Sequence, residues 1–243
     1  MGEREQDRAR EKTLELGTGY WQMDIPGDFL GESERAAAGL EQAQTRRDLT
    51  AFHMNPDKSF LLLVDLQERL VPVMRQGGRC VRRALRLLKA AGLFEIPGLA
   101  TEQYPKGLGP SVPEIGEALG RLRYPIYAKT AFSALTDEVQ SSLAKSGRKQ
   151  VILFGVETHV CVWQTVRALL EAGYSPVVPA DAVSSRYEDD RVIGLRLMER
   201  AGAVVTSTES ILFDWAGDAK SPMFKAVSAL VKDEPSPPGG RVD

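Results

Sequence analysis

The stretch Gln150-Val-Ile-Leu-Phe-Gly-Val156 leads into Thr158 and Cys161, and then into a stripe of Val162, Val166, Leu169 and Leu170. An apolar run without alternation marks a strand buried on both faces. The i, i+4, i+7, i+8 stripe marks one face of a helix. A buried strand feeding an amphipathic helix is the unit of a parallel α/β sheet.

Reading outward, the pattern repeats. Phe60-Leu-Leu-Leu-Val64 is a second apolar run, followed by a helix over residues 79–91 with Val81, Leu85 and Leu88 on one face and Gly92 at its end. Weaker strands are expected at Gly98 to Glu102 and Pro125 to Lys129. Thr136 then caps a helix that carries Asp137 and Glu138 in its first turn and closes at Gly147. Pro176 to Ala180 and Ala203 to Thr206 complete the strands, with helices near Asp189 to Ala201, Ser210 to Trp215 and Pro222 to Val231. Alternation of this kind predicts a three-layer, parallel six-stranded sheet with helices on both faces. Ligands of such sheets bind beyond the carboxyl ends of the strands.

The chain of 243 residues is 43% hydrophobic and 26% charged, the mix of an ordinary globular protein with a real core. A net charge of -2 argues against nucleic acid or an anionic membrane as partner. No apolar run approaches the roughly 20 residues of a membrane span, and the charged start (Glu3, Arg4, Glu5, Asp7, Arg8) does not resemble a secretory signal. Two cysteines, Cys80 and Cys161, predict a reduced, cytoplasmic setting rather than a disulfide scaffold. Residues 1–55 read as an extension, partly disordered, with Trp21, Ile25, Phe29 and Leu30 as scattered anchors. Residues 56–234 form the folded domain, and 235–243, rich in Pro and Gly, form a disordered tail.

Three reactive residues fall at strand carboxyl ends: Asp65 after the first run, Lys129 after the third strand, and Cys161 just past the fourth. A carboxylate at the end of an apolar strand needs a partner, and a lysine supplies one. With Thr158 as helix cap, Cys161 stands near the third helical position, where free N–H groups and the helix dipole favour a thiolate and a nearby lysine lowers the thiol pKa further. The same N–H groups suit an oxyanion, and Asp65 suits proton transfer. A small buried cysteine, a capping aspartate and a solvated lysine are the structural alternatives at these positions. Gln67 and Gln103 lie near strand ends as possible substrate contacts or exposed polar filler. His159 points away from Cys161 by its spacing, and Cys80 reads as structural. Gly107-Leu-Gly109 lacks the last glycine of a dinucleotide fingerprint, with Val112 in its place.

Leu63-Val-Asp-Leu-Gln67, Ala128-Lys-Thr130 and Phe154-Gly-Val-Glu-Thr-His-Val-Cys-Val162 resemble the three signature segments of isochorismatase-like hydrolases, and Ala180-Asp-Ala-Val-Ser-Ser185 resembles the segment after the fifth strand. Thr101-Glu-Gln-Tyr-Pro-Lys-Gly-Leu-Gly109 is similar to the subgroup of isochorismatase domain-containing proteins. The resemblance implies a Rossmann-like fold, a homo-oligomer and hydrolysis of a C–N bond in a small amide or imide. It implies Asp65 as general base and acid, Lys129 as charged stabiliser and Cys161 as nucleophile. It also implies a cis peptide at Val156–Glu157, whose N–H joins that of Cys161 in the oxyanion hole. Nicotinamidases hold a metal through Asp and His after the second strand. Residues 101–113 contain neither type, so no metal and no cofactor is expected. An inactive interaction protein that keeps the fold is the alternative.

Overall fold

The computed structural model describes residues 49–232. The expected arm lies outside the described residues up to position 48, and the expected tail lies outside them entirely. At Met54 the chain has joined the domain: its N–H donates to Asp214 Oδ2 at 3.0 Å, and the Asn55 N–H donates to Gln150 Oε1 at 3.1 Å.

Along the chain run β1 (Ser59–Val64), α1 (Gly77–Leu93), β2 (Gly98–Gln103), α2 (Pro105–Leu108), α3 (Pro113–Leu122), β3 (Ile126–Lys129), α4 (Asp137–Ser146) and β4 (Gln150–Val156). A π-helical turn (Thr158–Val162) leads into α5 (Trp163–Glu171), followed by β5 (Ser175–Pro179), β6 (Val183–Ser184), α6 (Glu188–Ala201), β7 (Val204–Thr206), α7 (Thr208–Ala216) and α8 (Phe224–Lys232). Every ladder is parallel, and the strand order is β3-β2-β1-β4-β5-β7, with β6 paired to β4. The sheet thus has seven strands where six were expected. The addition, β6, covers Val183–Ser184 alone and continues the edge of β4 where β5 leaves it. Two residues carry no periodicity that a sequence reading can use.

Burial explains which strands were easy to see. Every residue of β1 and β4 is buried, as expected for central strands under helices on both faces. At the sheet edge, β3 is mostly uncovered. Helix α1 buries Cys80, Val81, Ala84, Leu87, Leu88 and Ala91, and packs with α3, α7 and α8. Helices α5 and α6 pack on one another, on the opposite face by the right-handed crossover rule. Helix α3 escapes periodicity because Gly116 and Gly120 weaken its pattern. Pro113 starts it, and Ile115 and Leu119 are its buried pair. Thr136 occupies the expected cap of α4 but makes no capping bond; its hydroxyl donates to Glu138 Oε2 at 2.8 Å instead.

Gly155 is dictated by the close approach of two central strands. Its φ is +127°, and a Cβ there would meet Val64 O at 2.0 Å. Strands β1 and β4 therefore come together beside the residue that precedes the turn carrying Cys161.

Candidate active site

The strand order reverses at β1, which lies between β2 and β4. A crevice opens at such a switch point, beyond the strand carboxyl ends. Asp65 leaves β1 there with φ 55°, a left-handed conformation uncommon for aspartate. Cys161 follows β4, the adjacent strand. Lys129 ends β3, beyond β2, and its side chain reaches Asp65 across the end of β2.

Lys129 Nζ lies 2.6 Å from Asp65 Oδ2, and both side chains are 0% exposed. The Thr101 hydroxyl donates to Asp65 Oδ1 at 2.8 Å. Cys161, 7% exposed, lies close enough to Asp65 and Lys129 for both side chains to act on its thiol. The structure therefore brings the three residues together. Burial pushes the Asp65 carboxyl above its ordinary value of 3.8; the Lys129 charge and the Lys129, Thr101 and Cys161 side chains offset this without cancelling it. A carboxylate held this way is a stronger base than one in water.

Cys161 corrects an expectation. Its thiol is pushed up to about 12, first by burial and then by the neighbouring Asp65 charge, with Lys129 pulling down less strongly. Burial and the Asp65 charge thus favour the protonated sulfur over the thiolate that a helix start and a lysine suggest. The helix start also differs from the expected one. Glu157 is the cap, the opening turn is π-helical, and the Val160 and Val162 N–H groups both donate to Glu157 O at 3.1 Å. Such turns recur at functional sites. The Val156–Glu157 peptide is cis.

The surrounding contacts tie this turn down. Arg186 donates from its backbone N and from Nε to Glu157 Oε2, both at 3.1 Å. His159 Nδ1 lies 3.0 Å from Ser185 Oγ, and Nε2 lies 3.7 Å from Asp190, so the ring is engaged with that segment. The Thr165 hydroxyl donates to Cys161 O at 2.6 Å and accepts from the Ala134 N–H at 2.8 Å, linking the cysteine helix to the loop after β3. Thr158 Oγ1 is buried with no hydrogen-bond partner among the described residues. Thr101, Thr165 and Arg186 were not legible as site residues, because each acts across segments distant in sequence.

The two glutamines are tied to the strand ends by hydrogen bonds, Gln67 buried and Gln103 half-buried. Gln67 is 0% exposed. Its Nε2 donates to Gln103 O at 2.9 Å and to Gly109 O at 2.7 Å, and its Oε1 accepts from the Gln103 N–H at 2.8 Å. A side chain committed to main chain at both ends is a brace. Gln103 Oε1 accepts from Lys129 Nζ at 2.6 Å, and its Nε2 donates to Thr130 O at 2.8 Å. Cys80 lies apart, buried, with its thiol donating to Ala182 O at 3.1 Å. Among the described residues no three His, Cys, Asp or Glu side chains cluster as metal ligands, and no helix is long and apolar enough to cross a membrane.

A parallel α/β sheet with a cysteine, an aspartate and a lysine on one rim defines a class, and comparison with known proteins identifies the family. Residues 59–210 match the Isochorismatase domain, and the chain belongs to that family. It is 44% identical over 184 residues to isochorismatase domain-containing protein 2 of Danio rerio, covering 75% of this chain and 90% of the relative. Among solved structures, the MAR1 ribonuclease of Caenorhabditis elegans superposes with a TM-score of 0.72 at 39% identity, over 78% of this chain and 97% of that one. The YcaC gene product of Escherichia coli, described as an octameric hydrolase of unknown specificity, superposes with a TM-score of 0.68 at 25% identity, over 73% and 88%.

Proposed function

We propose that this protein is a cysteine hydrolase that cleaves a C–N bond in a small amide, imide or related compound. The observation that carries the reading is one buried carboxylate, Asp65, paired with the Lys129 ammonium and adjoining the Cys161 thiol.

The protons follow from that geometry. Asp65 takes the thiol proton as the sulfur attacks the substrate carbonyl carbon. The C=O electron pair moves to oxygen, and the N–H groups of Glu157 and Cys161 hold the oxyanion. Collapse expels the amine, which receives the proton from Asp65, and leaves a thioester on Cys161. Asp65 then deprotonates a water; its attack on the thioester releases the acid and restores the thiol. Lys129 stays charged, stabilising ionised Asp65 and the transient thiolate. A sulfur that favours its proton agrees with this scheme, since transfer to Asp65 accompanies attack. The chemistry needs a reduced sulfur, so a reducing, cytoplasmic setting is part of the proposal. So is a homo-oligomer, supported by the octameric state described for E. coli YcaC and testable by native mass spectrometry.

The C. elegans relative is named as a ribonuclease. Labelled RNA is therefore tested beside the amides. A panel of small amides and imides is incubated with the protein, and the intact mass is read for an acyl adduct on Cys161. Turnover with an adduct, both absent in Cys161→Ala, supports the proposal. Full turnover by Cys161→Ala, or cleavage of labelled RNA with no amide turned over, refutes it.

A further inference from the structure

We propose that Gln103 is a positioning residue that anchors the Lys129 ammonium between Asp65 and the Cys161 sulfur, and that its neutrality reserves the lysine charge for those two groups. This rests on the reading of Lys129 as the charged partner of the thiol and base.

The register places Gln103 beside Lys129 in the β2–β3 ladder, so the two side chains leave the sheet on the same side. Gln103 is itself held on three sides. Its N–H donates to Gln67 Oε1, its C=O accepts from Gln67 Nε2, and its own Nε2 donates to Thr130 O at 2.8 Å. An acceptor at the Nε2 end leaves Oε1 to face Lys129, since the reverse orientation would turn an NH₂ group toward an ammonium. Gln67, fully buried and bonded onward to Gly109 O, makes the support rigid.

An ammonium has three N–H donors. The partners available to Lys129 are Asp65 Oδ2 and Gln103 Oε1, both at 2.6 Å, the carbonyls of Ala131 and Phe132, both at 3.3 Å, and the Cys161 sulfur. Two short bonds fix the nitrogen, and the long carbonyl contacts are weak enough to yield a proton when the sulfur becomes anionic. A carboxylate in place of Gln103 would draw the ammonium from Asp65 and add a second negative charge beside the thiol. An apolar side chain would leave the ammonium unanchored. A strand-end brace with no influence on Lys129 predicts neither effect.

The test uses full-length protein and needs no substrate. Iodoacetamide labelling of Cys161 is followed by peptide mass spectrometry from pH 7 to 10.5 in wild type, Gln103→Glu, Gln103→Met and Lys129→Met, with thermal melts alongside. Buried Cys80 serves as the internal control for folding. The expected order of labelling rates at pH 9 is wild type, then Gln103→Met slower by about threefold, then Gln103→Glu slower by at least about tenfold, a displacement of its pH profile by roughly one unit. Gln103→Met preserves size without charge, so it keeps the test decisive if the glutamate variant folds poorly. Gln103 profiles that superpose on wild type while Lys129→Met is displaced overturn the role of Gln103 alone. A Lys129→Met profile identical to wild type overturns both that role and the reading of Lys129 on which it rests.

Discussion

Replacing Lys129 by methionine removes the ammonium from a carboxylate that is fully buried at rest, since both side chains are 0% exposed. Methionine keeps most of the aliphatic stem, so the packing loss is small and the electrostatic loss dominates. Asp65 retains the Thr101 hydroxyl but loses the ammonium bonded to it. Breaking a buried pair by removing one partner costs about 3–5 kcal/mol. With a urea m-value of about 2 kcal/mol/M, that is a midpoint lowered by roughly 1.5–2.5 M. The loss must also depend on pH. Burial already holds the Asp65 carboxyl above 3.8. An acid whose folded pKa is raised supports folding below its unfolded value, and that support is lost as pH rises through the folded value. Without Lys129 the rise is larger, so the variant regains stability between pH 7 and 5, and more steeply than wild type. Urea unfolding of wild type, Lys129→Met, Asp65→Asn and the double variant at both pH values is the assay. The double variant, with no buried charge left, recovers most of the loss. A single-variant cost under about 1 kcal/mol, the range of exposed pairs, or a double variant that loses the sum of both singles, would refute the claim of a buried, coupled pair.

Two other outcomes concern buried groups. Thr158→Val replaces a buried hydroxyl that has no partner among the described residues, so thermal stability stays level or rises by up to about 1–2 kcal/mol; a clear drop in the melting temperature means that the hydroxyl is satisfied. Burial and the Asp181 charge push the Cys80 thiol from 9.0 up to about 12. The folded state therefore favours the protonated sulfur, and stability falls above pH 9 as the unfolded chain ionises. Its share approaches roughly 1.4 kcal/mol per pH unit, and Cys80→Ala, compared with wild type by urea unfolding at pH 8 and 10, should fall less steeply; equal slopes would contradict the burial argument.

Asp65, Lys129 and Cys161 were legible because each lies at the carboxyl end of a strand that local pattern could detect. Their partners were not. Thr101 sits 36 residues from Asp65 and Lys129 sits 64 residues from it, and no periodicity encodes which strand ends become neighbours. Gln67 and Gln103 looked like polar groups near a rim. Packing turned the first into a backbone brace and the second into a partner of Lys129. Helix α3 was hidden by its glycines and settled by contact with α1.

By itself the sequence determined the alternation of strands and helices, since a strand buried on both faces must be an apolar run and a helix covering it must carry a stripe. It also determined that a cysteine opens the helix after β4. The tertiary structure alone decided the order β3-β2-β1-β4, which carries Lys129 over β2 to Asp65. It decided too that burial and the Asp65 charge push the Cys161 thiol upward. Desolvation and Coulomb energy depend on distance and burial in space, and the local signal of a helix start and a nearby lysine pointed the opposite way.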